Sequence, residues 1–453
     1  MREQVILPIS SAPNFVGLRL SPIQRVINKF RTIHHKLWEI SMSMLLGQPL
    51  YAVGFAAVAA ALVLAPPALA DPAPSYETLT EHLDRTPATL EAEALLDAAN
   101  ARAQQARALP NPSVTLEAEN AYGSAPFTGY DAAETTFSVS QPLELWGQRG
   151  ARIGAARAAA DAAALRRDQS RWAVAGRLAL IYAEAEAASL QYELAVEALS
   201  LTQADASAVM ALIEEGREPT LRGIQAESEV EAARAVVDET QANRDAAFAR
   251  LAAAAMLTEP VTSIGTSLLD RAPSPFAQDV RNPLAVQIAE AELDAAGQSV
   301  TVERLRARPD VTASLGVRRF QEYDSQALMF GISVSVPLFD RNKGAISAAR
   351  AEQRAAEARL TGLKLEVQAD RSAAQARLTA SITRTRAADN GVASAEEAYR
   401  LARAGFDAGR ISQLELRSIR SALIAARNTA VDARIARVRA EVELARLDGR
   451  TPF

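Results

Sequence analysis

The sequence predicts a mainly α-helical chain that carries part of a membrane β-barrel and is built from one unit present twice. An alternating strand, a proline, a polar turn and the start of a helix follow one another at residues 138–157 and again at residues 333–350. Each copy continues into a long run without proline that is rich in Ala, Leu, Glu and Arg. The repetition indicates an internal duplication of two strands and a long helical hairpin, giving four strands per chain.

The composition favours long helices over an ordinary globular core. Hydrophobic residues make up 49% of the chain but aromatic residues only 5%. Alanine dominates, which suits helices that pack closely through small side chains. The formal net charge of −5 gives no reason to expect nucleic acid as a partner.

The chain offers few groups for catalysis or metal binding. It contains no cysteine, which excludes disulfides, thiolate metal sites and a lipid-modified N-terminal Cys. Of the three histidines, His34 and His35 precede the expected processing site, so His82 alone remains in the mature chain. We therefore predict no enzyme, no cofactor, and no catalytic, cofactor-binding or metal-binding residues.

Residues 1–70 are predicted to be an N-terminal extension plus a signal peptide. Residues 52–65 form an apolar run followed by small residues, as in a secretory signal, and the run is too short to span a membrane. We expect cleavage after Ala70. The true start is expected at Met42 or Met44, which would make the preceding residues a start-site artefact.

Two strands are predicted in each unit, at about residues 113–121 and 134–143 and at about residues 310–319 and 327–338. In each strand apolar residues alternate with polar ones, so the strand has one apolar and one polar face. Such a pattern fits a barrel wall with lipid outside and water inside.

Four strands are too few to close a membrane barrel, because about eight are needed. Open strand edges are not tolerated in hydrocarbon, where their N–H and C=O groups would have no partners. Several chains must therefore contribute strands to one barrel. The alternative is a soluble four-stranded sheet with one half-buried face.

The helical hairpins are expected at residues 151–255 and 345–447. The first descending helix would extend about 90 Å at the rise of an α-helix. In both copies the same number of residues separates the start of the long helix from the glycine of its hairpin turn. Because loops drift in length, this equality indicates rods whose length matters.

The duplication also sets the predicted domain boundaries. We assign residues 71–270 to a first repeat and residues 271–453 to a second, each with a helix, a strand pair and a helical hairpin. Residues 257–282, which contain several prolines, are expected to return along an irregular path between the repeats.

Four motifs carry a resemblance to a known family. They are Pro110–Asn–Pro112, residues 141–152 (QPLELWGQRGAR), residues 336–344 (VPLFDRNKG) and the two Gly-Arg helix turns. They resemble the outer-membrane factors of the TolC type, in particular the CzcC-like branch, which comprises the outer-membrane components of heavy-metal RND efflux systems. The resemblance covers nearly all of the mature chain.

This resemblance implies a homotrimer in which four strands per chain make a twelve-stranded barrel in the Gram-negative outer membrane. The helices would form a long tube that extends into the periplasm. The implied function is a passive exit duct of a tripartite efflux pump for divalent heavy-metal cations. Its implied partners are outer-membrane lipid, a periplasmic adaptor (membrane fusion protein) and an inner-membrane RND transporter.

The resemblance also implies roles for individual residues. In the family an acidic ring closes the periplasmic end just after the second hairpin turn; its first position falls on Glu415 and its second on Ser418, which is not acidic. A solvated surface glutamate is the alternative interpretation of Glu415. The expected adaptor contacts at the helical tips are Gly216, Arg217, Gly409, Arg410, Ser412 and Leu414. The expected strand-to-helix bends contain Pro142, Trp146, Gly147, Pro337 and Gly344.

Three of these residue types have structural interpretations as well. The tip glycines fit turns that need a positive φ, Leu414 fits packing of the hairpin end, and Trp146 fits either the membrane interface or packing at the bend.

Three other functions stay open from the sequence. A drug-efflux or type I secretion duct would share the fold. A periplasmic coiled-coil scaffold or adaptor without a pore would need a further domain between its hairpin arms. An enzyme would depend on carboxylates scattered along helices, and none of them forms an evident pair.

Overall fold

A computed structural model describes residues 72–273 and 282–453 of the protein. The predicted signal peptide and its cleavage after Ala70 lie outside these residues. The helices are α1 (Tyr76–Thr80), α2 (Pro87–Gln105), α3 (Gln148–Glu214), α4 (Thr220–Ala254), α5 (Leu284–Arg306), α6 (Lys343–Asp407) and α7 (Gln413–Asp448), with a 3₁₀ turn at Leu83–Arg85. The strands are β1 (Ser113–Glu119), β2 (Glu134–Leu143), β3 (Asp310–Phe320) and β4 (Ser325–Ser335).

The four strands form one antiparallel sheet in the order β1-β2-β3-β4. The central pairing of β2 with β3 joins the two copies of the unit, so β1 and β4 are the two edges of the sheet. The predicted fold class, with four strands and two long helical hairpins, is confirmed. All four strands meet helices at the same end of the sheet, here called its helical end, and are joined by loops at the other.

Two strands end earlier than predicted, for local reasons. β1 ends at Glu119 because Asn120 adopts a left-handed conformation with φ 56°, which breaks the extended backbone. β4 ends at Ser335, shortly before Pro337, which has no N–H to donate to the ladder. Pro142, by contrast, lies inside β2, opposite Thr312.

The helices pack as two antiparallel hairpins, α3 with α4 and α6 with α7, and α3 also contacts α5 and α7. In the described part of the chain, α3 alone is long and apolar enough to cross a membrane by length and composition. Its 67 residues extend about 100 Å, which is several times the thickness of a hydrocarbon core. Its alanines instead pack against the neighbouring helices: Ala175, Ala179 and Ala185 are fully buried.

The largest core lies around the middle of α3. Here the segment that follows α4, residues 257–273 and called the return segment, packs against the helices. Tyr182 is fully buried and donates a hydrogen bond to the carbonyl of Thr266 at 2.8 Å. Tyr76 lies edge-on to Tyr182 and to Phe453, with ring centroids 6.4 and 5.8 Å away. The described part of the segment between the repeats, residues 257–273, is thus irregular, as predicted, and packs against the helices.

Candidate functional site

The sheet has one apolar and one polar face, and the apolar face is uncovered. Strand pairing brings Leu116, Phe137, Val317 and Leu328 into one row across the sheet. Leu116 is 72% exposed and Leu328 79% exposed, and Phe330 in the next row is 90% exposed. A soluble sheet would bury such a face, so the alternative of a half-buried soluble sheet is wrong.

Polar side chains occupy the opposite face, and their charges collect near the loop end. Arg318 contacts Glu134 at 2.9 Å and Glu119 at 3.0 Å, and its Nε donates to the hydroxyl of Thr136 at 3.0 Å. Glu117 is exposed on the same face, opposite Thr136. This end of the polar face therefore carries three carboxylates and one guanidinium.

The strand-to-helix bends use a left-handed residue in both copies. In the first copy Gly147, with φ 85°, precedes α3. In the second copy the residue before α6 is Asn342, with φ 54°, and Gly344 is already the second residue of the helix. Asn tolerates this conformation better than most residues, which explains why the second turn needs no glycine at this position.

Trp146 is fixed at the first bend. Its indole Nε1 donates to the carbonyl of Pro309 at 2.7 Å, and its side chain stays 46% exposed. The ring is therefore tied to the start of β3 while much of its surface remains free. Both expectations for Trp146, packing at the bend and an interfacial position, are compatible with this geometry.

The motif at residues 148–152 binds the end of α2. Arg149 donates two hydrogen bonds to the carbonyl of Arg107, at 3.0 and 2.7 Å. Arg152 donates to the carbonyls of Ala106 and Ala108, at 3.1 and 3.0 Å, and also contacts Glu144. These bonds satisfy carbonyls that the end of a helix leaves free, so the motif joins the strand-to-helix bend to the preceding helix.

The two hairpin turns are the same structure. Gly216 and Gly409 have φ of 69° and 71°. In the first turn the amide of Arg217 donates to the carbonyl of Leu212, and in the second Arg410 donates to Gly405, each at 2.8 Å. This is the Schellman arrangement, in which a side chain at the glycine position would be strained.

Ser412 and Glu415 begin the last helix after the second turn. The hydroxyl of Ser412 caps α7 by accepting from the amide of Glu415 at 3.3 Å. The Glu415 side chain is exposed and, within the described residues, has no ion-pair partner. Ser418 and Leu414 are also exposed, Leu414 by 56%. The acidic group lies on the surface of the tip in a single chain.

An ion-pair cluster next to the tips was not predicted from the sequence. Arg420 on α7, which is nearly buried, pairs with Asp205 on α3 and also donates to the carbonyl of Leu201 at 3.2 Å. One turn earlier, Arg417 pairs with Glu229 on α4. The spacing of the two arginines on α7 was the available signal, but their partners are remote in sequence. The cluster fixes the last helix against the first hairpin.

A second unpredicted group holds the return segment and is named the linker clamp: Glu186 on α3 and Arg437 on α7. Glu186 accepts from the amides of Leu268 and Leu269 at 2.8 and 3.1 Å, and from the hydroxyl of Ser267. Burial raises the pKa of the Glu186 carboxyl above its ordinary value, although these hydrogen bonds act in the opposite direction.

Arg437 completes the linker clamp from the other repeat. It is 3% exposed and donates to the carbonyls of Leu269 and Arg271, both at 2.6 Å, and to Glu441 at 3.2 Å. The carboxylate of Glu186 thus accepts hydrogen bonds from N–H groups of the return segment, and the guanidinium of Arg437 donates hydrogen bonds to its C=O groups. The clamp joins the first hairpin to the second.

No cluster of three or more His, Cys, Asp or Glu side chains suited to a metal ion occurs in residues 72–273 and 282–453. The sheet instead combines an exposed apolar face, a polar face and two unpaired edges, and it continues into helices far longer than a bilayer is thick. These features define a channel-forming membrane protein.

The chain belongs to the outer membrane efflux protein family, which it matches over residues 78–255 and 280–450. It is an outer-membrane protein, as predicted. The family is one of transport proteins, which supports the prediction that the chain is not an enzyme.

Curated relatives agree with the CzcC-like resemblance, which is confirmed. The chain is 39% identical over 384 residues to the nickel-cobalt-cadmium resistance protein NccC of Alcaligenes xylosoxydans xylosoxydans, covering 84% of this chain and 88% of that protein. It is 28% identical over 347 residues to the cobalt-zinc-cadmium resistance protein CzcC of Cupriavidus metallidurans, covering 73% and 79% of the two chains.

Solved structures show the same fold. The chain superposes on CusC with a TM-score of 0.70 at 20% identity, covering 83% of this chain and 92% of that one. The open state of the Neisseria gonorrhoeae MtrE outer membrane channel gives a TM-score of 0.70 at 19% identity, with coverage of 83% and 89%. The alternative of a periplasmic adaptor without a pore is wrong, because the chain belongs to the outer membrane efflux protein family.

Proposed function

We propose that this protein is the outer-membrane exit duct of a tripartite efflux pump that exports divalent heavy-metal cations. The observation that carries the proposal is the sheet, whose apolar face is exposed and whose edges β1 and β4 are unpaired within the chain. Hydrocarbon tolerates such a sheet only when its edges are closed. A homotrimer closes them, because β1 and β4 run in opposite directions and can pair between copies.

In the closed barrel the apolar rows face lipid and the polar rows line a water-filled lumen. The helices of three copies continue this lumen as a tube into the periplasm. The tube needs no cofactor or energy source of its own, because a passive conduit follows the gradient that the inner-membrane transporter creates. A periplasmic adaptor would join the two, with Arg217 and Arg410 at the tips as contact residues.

The cargo is proposed from the relatives and is compatible with the charge of the lumen. NccC and CzcC are named for resistance to nickel, cobalt, cadmium and zinc. Glu117, Glu119 and Glu134 outnumber Arg318 on the polar face, and a negative lining attracts cations. A duct does not need to coordinate its cargo, so the shortage of metal ligands is no obstacle.

Glu415 is the proposed periplasmic gate residue. Its side chain is exposed at the start of α7 without an ion-pair partner in the described part of the chain. Around a threefold axis it would form a ring of three carboxylates that attracts cations and repels anions. The ion pairs of Arg417 and Arg420 fix the helix that carries it.

The test is growth of a deletion strain in nickel, cobalt, cadmium, zinc and copper, compared with growth in dyes and detergents. We expect sensitivity to one or more of the divalent metals, restored by the intact gene. Sensitivity to the organic compounds alone would overturn the cargo and leave an export duct for drugs. The matched control is complementation by a Glu184→Ala variant, which changes an exposed helix-surface ion pair.

A further inference from the structure

The helical end of the sheet carries an exposed group of apolar and basic side chains, which we call the rim collar. Its apolar members follow β2 and β4 directly, and its basic members surround the same bends. The rim collar consists of Leu145, Trp146, Leu338, Phe339, Arg107, Arg149, Arg308, Arg341 and Lys343. Most of them lie in the two family motifs at residues 141–152 and 336–344, but the contacts described above leave their exposed surface without a role.

The apolar members extend the lipid-facing surface beyond the last strand row. Leu145 is 59% exposed, Leu338 64%, and Phe339 completely exposed. In sequence they follow Leu143 and Val334, which share the last apolar row of the sheet. Trp146 stays half exposed even though its indole N–H is satisfied. Aromatic rings in such positions are characteristic of the boundary between lipid and water.

The basic members lack acidic partners. The side chains of Arg107, Arg308, Arg341 and Lys343 are exposed and form no ion pair with any described residue. Arg149 donates only to a backbone carbonyl. No carboxylate of the described residues therefore offsets these positive charges through an ion pair.

The nearby carboxylates are mostly engaged. Glu144 is paired with Arg152, and Glu303 with Arg306. Asp340 accepts from the amide of Asn342 at 2.9 Å, and Asp310 is exposed at the start of β3. Among the described residues, Asp310 and Asp340 are the two of these carboxylates without a basic partner, and the rim collar has five basic side chains, so this belt of the protein carries a net positive charge.

We propose that the rim collar binds anionic phospholipid in the periplasmic leaflet of the outer membrane. The apolar members would contact acyl chains, and Arg308, Arg341 and Lys343 would contact phosphate groups. The inference rests on the proposed placement of the sheet in the membrane. Charge complementarity and continuity with the apolar sheet face select phospholipid as the occupant. In this position the collar would hold the barrel at its level in the bilayer.

The experiment measures lipid bound to the purified full chain by native mass spectrometry. Phosphatidylglycerol and phosphatidylethanolamine are titrated separately against the wild type and a variant with Arg308→Gln, Arg341→Gln and Lys343→Gln. Each basic side chain near an anionic lipid surface strengthens binding about fivefold. The variant lacks three of them and should therefore bind phosphatidylglycerol roughly a hundredfold more weakly. Binding of phosphatidylethanolamine, whose headgroup has no net charge, should change far less.

The matched control removes three exposed basic side chains of α6 that lie away from the collar, by Arg359→Gln, Arg384→Gln and Arg386→Gln. These arginines on α6 are also exposed and have no ion-pair partner among the described residues. The control should bind both lipids as the wild type does. An unchanged collar variant, or an equal loss in collar and control variants, would overturn the proposal.

The same spectra report the oligomer, which separates this inference from the proposed function. Trimers that show no preference for the anionic lipid would overturn the lipid-binding role of the rim collar and leave the proposed duct function standing. The absence of trimers would instead contradict the proposed duct. Phe339→Ser tests the apolar half: it should weaken binding of both lipids and leave the trimer intact. Loss of the trimer with unchanged lipid binding would show that Phe339 contacts a neighbouring copy instead.

Discussion

The linker clamp gives the most quantitative prediction, the effect of Glu186→Ala. Glu186 is the acceptor for the amides of Leu268 and Leu269. These two residues are 2% and 1% exposed, so water cannot replace the lost acceptor. The substitution therefore leaves two buried N–H groups without partners.

The magnitude follows from those two groups. Each buried N–H group without an acceptor costs about 1–3 kcal/mol. The substitution also removes the desolvation cost of the buried carboxyl, which offsets part of the cost of the two N–H groups. We expect the free energy that holds the return segment against α3 to fall by about 2–4 kcal/mol. Glu184→Ala is the control, because Glu184 pairs at 2.9 Å with Arg439 on the surface, and such exposed pairs contribute at most about 1 kcal/mol.

Hydrogen exchange measured by mass spectrometry reads this local effect in the detergent-solubilised protein. Peptides containing Leu268 and Leu269 should exchange roughly 30- to 900-fold faster in Glu186→Ala. In Glu184→Ala they should exchange nearly as in the wild type. Equal exchange in Glu186→Ala and the wild type would refute the role of the carboxylate as the acceptor that holds this segment.

The raised pKa of Glu186 adds a pH dependence with a defined sign. Because this pKa is raised, the Glu186 carboxyl binds a proton more readily in the folded protein than in the unfolded chain. The stability contributed by this protonation is therefore complete below the ordinary glutamate pKa. It is lost as the pH rises through the raised folded pKa, with a slope of at most about 1.4 kcal/mol per pH unit. Glu186→Gln should flatten this part of the stability profile. An identical pH profile for the variant would contradict the assignment.

Three further predictions concern the tips. Glu415→Gln should lower cation selectivity in planar bilayers, because it neutralises the proposed ring, and an unchanged reversal potential would remove Glu415 from the gate. Arg410→Glu should weaken cross-linking to the adaptor while trimers still assemble; normal cross-linking would remove Arg410 from the contact surface. Arg420→Ala should destabilise the contact between α7 and α3 by about 3–5 kcal/mol in denaturant titrations, because it leaves Asp205 without its partner. A loss below about 1 kcal/mol, as for an exposed pair, would contradict the structural role of Arg420.

The sequence was informative wherever a period or a repeat was present. Alternation along the strands predicted which residues share a face, and the pairing of Leu116 with Phe137 and of Val317 with Leu328 confirms it. The repeated glycine predicted the position of both hairpin turns. Its physical reason, the positive φ of Gly216, was already implied by the residue type.

The features that the sequence did not predict depend mostly on contacts between residues far apart in the chain. Glu186 holds amides in a segment with no periodicity, so nothing near Leu268 marks its partner. Arg420 and Asp205 are 215 positions apart, and their pairing follows only from the packing of α7 on α3. The second bend differs for a local reason, because Asn342 takes the left-handed position that the motif assigns to glycine.

The most direct test of the central claim, that three copies close one barrel, uses introduced cysteines, because the chain has none of its own. Ser113→Cys on β1 would be combined with Ser333→Cys or Ser335→Cys on β4. Within one sheet the two edges are three strand spacings apart, about 14 Å, which is too far for a disulfide. Any disulfide must therefore join two copies. We predict that oxidation yields a ladder of covalent oligomers that ends at the trimer. Monomers alone across a panel of neighbouring β1 and β4 positions, or a ladder that continues beyond three copies, would contradict the closed trimeric duct.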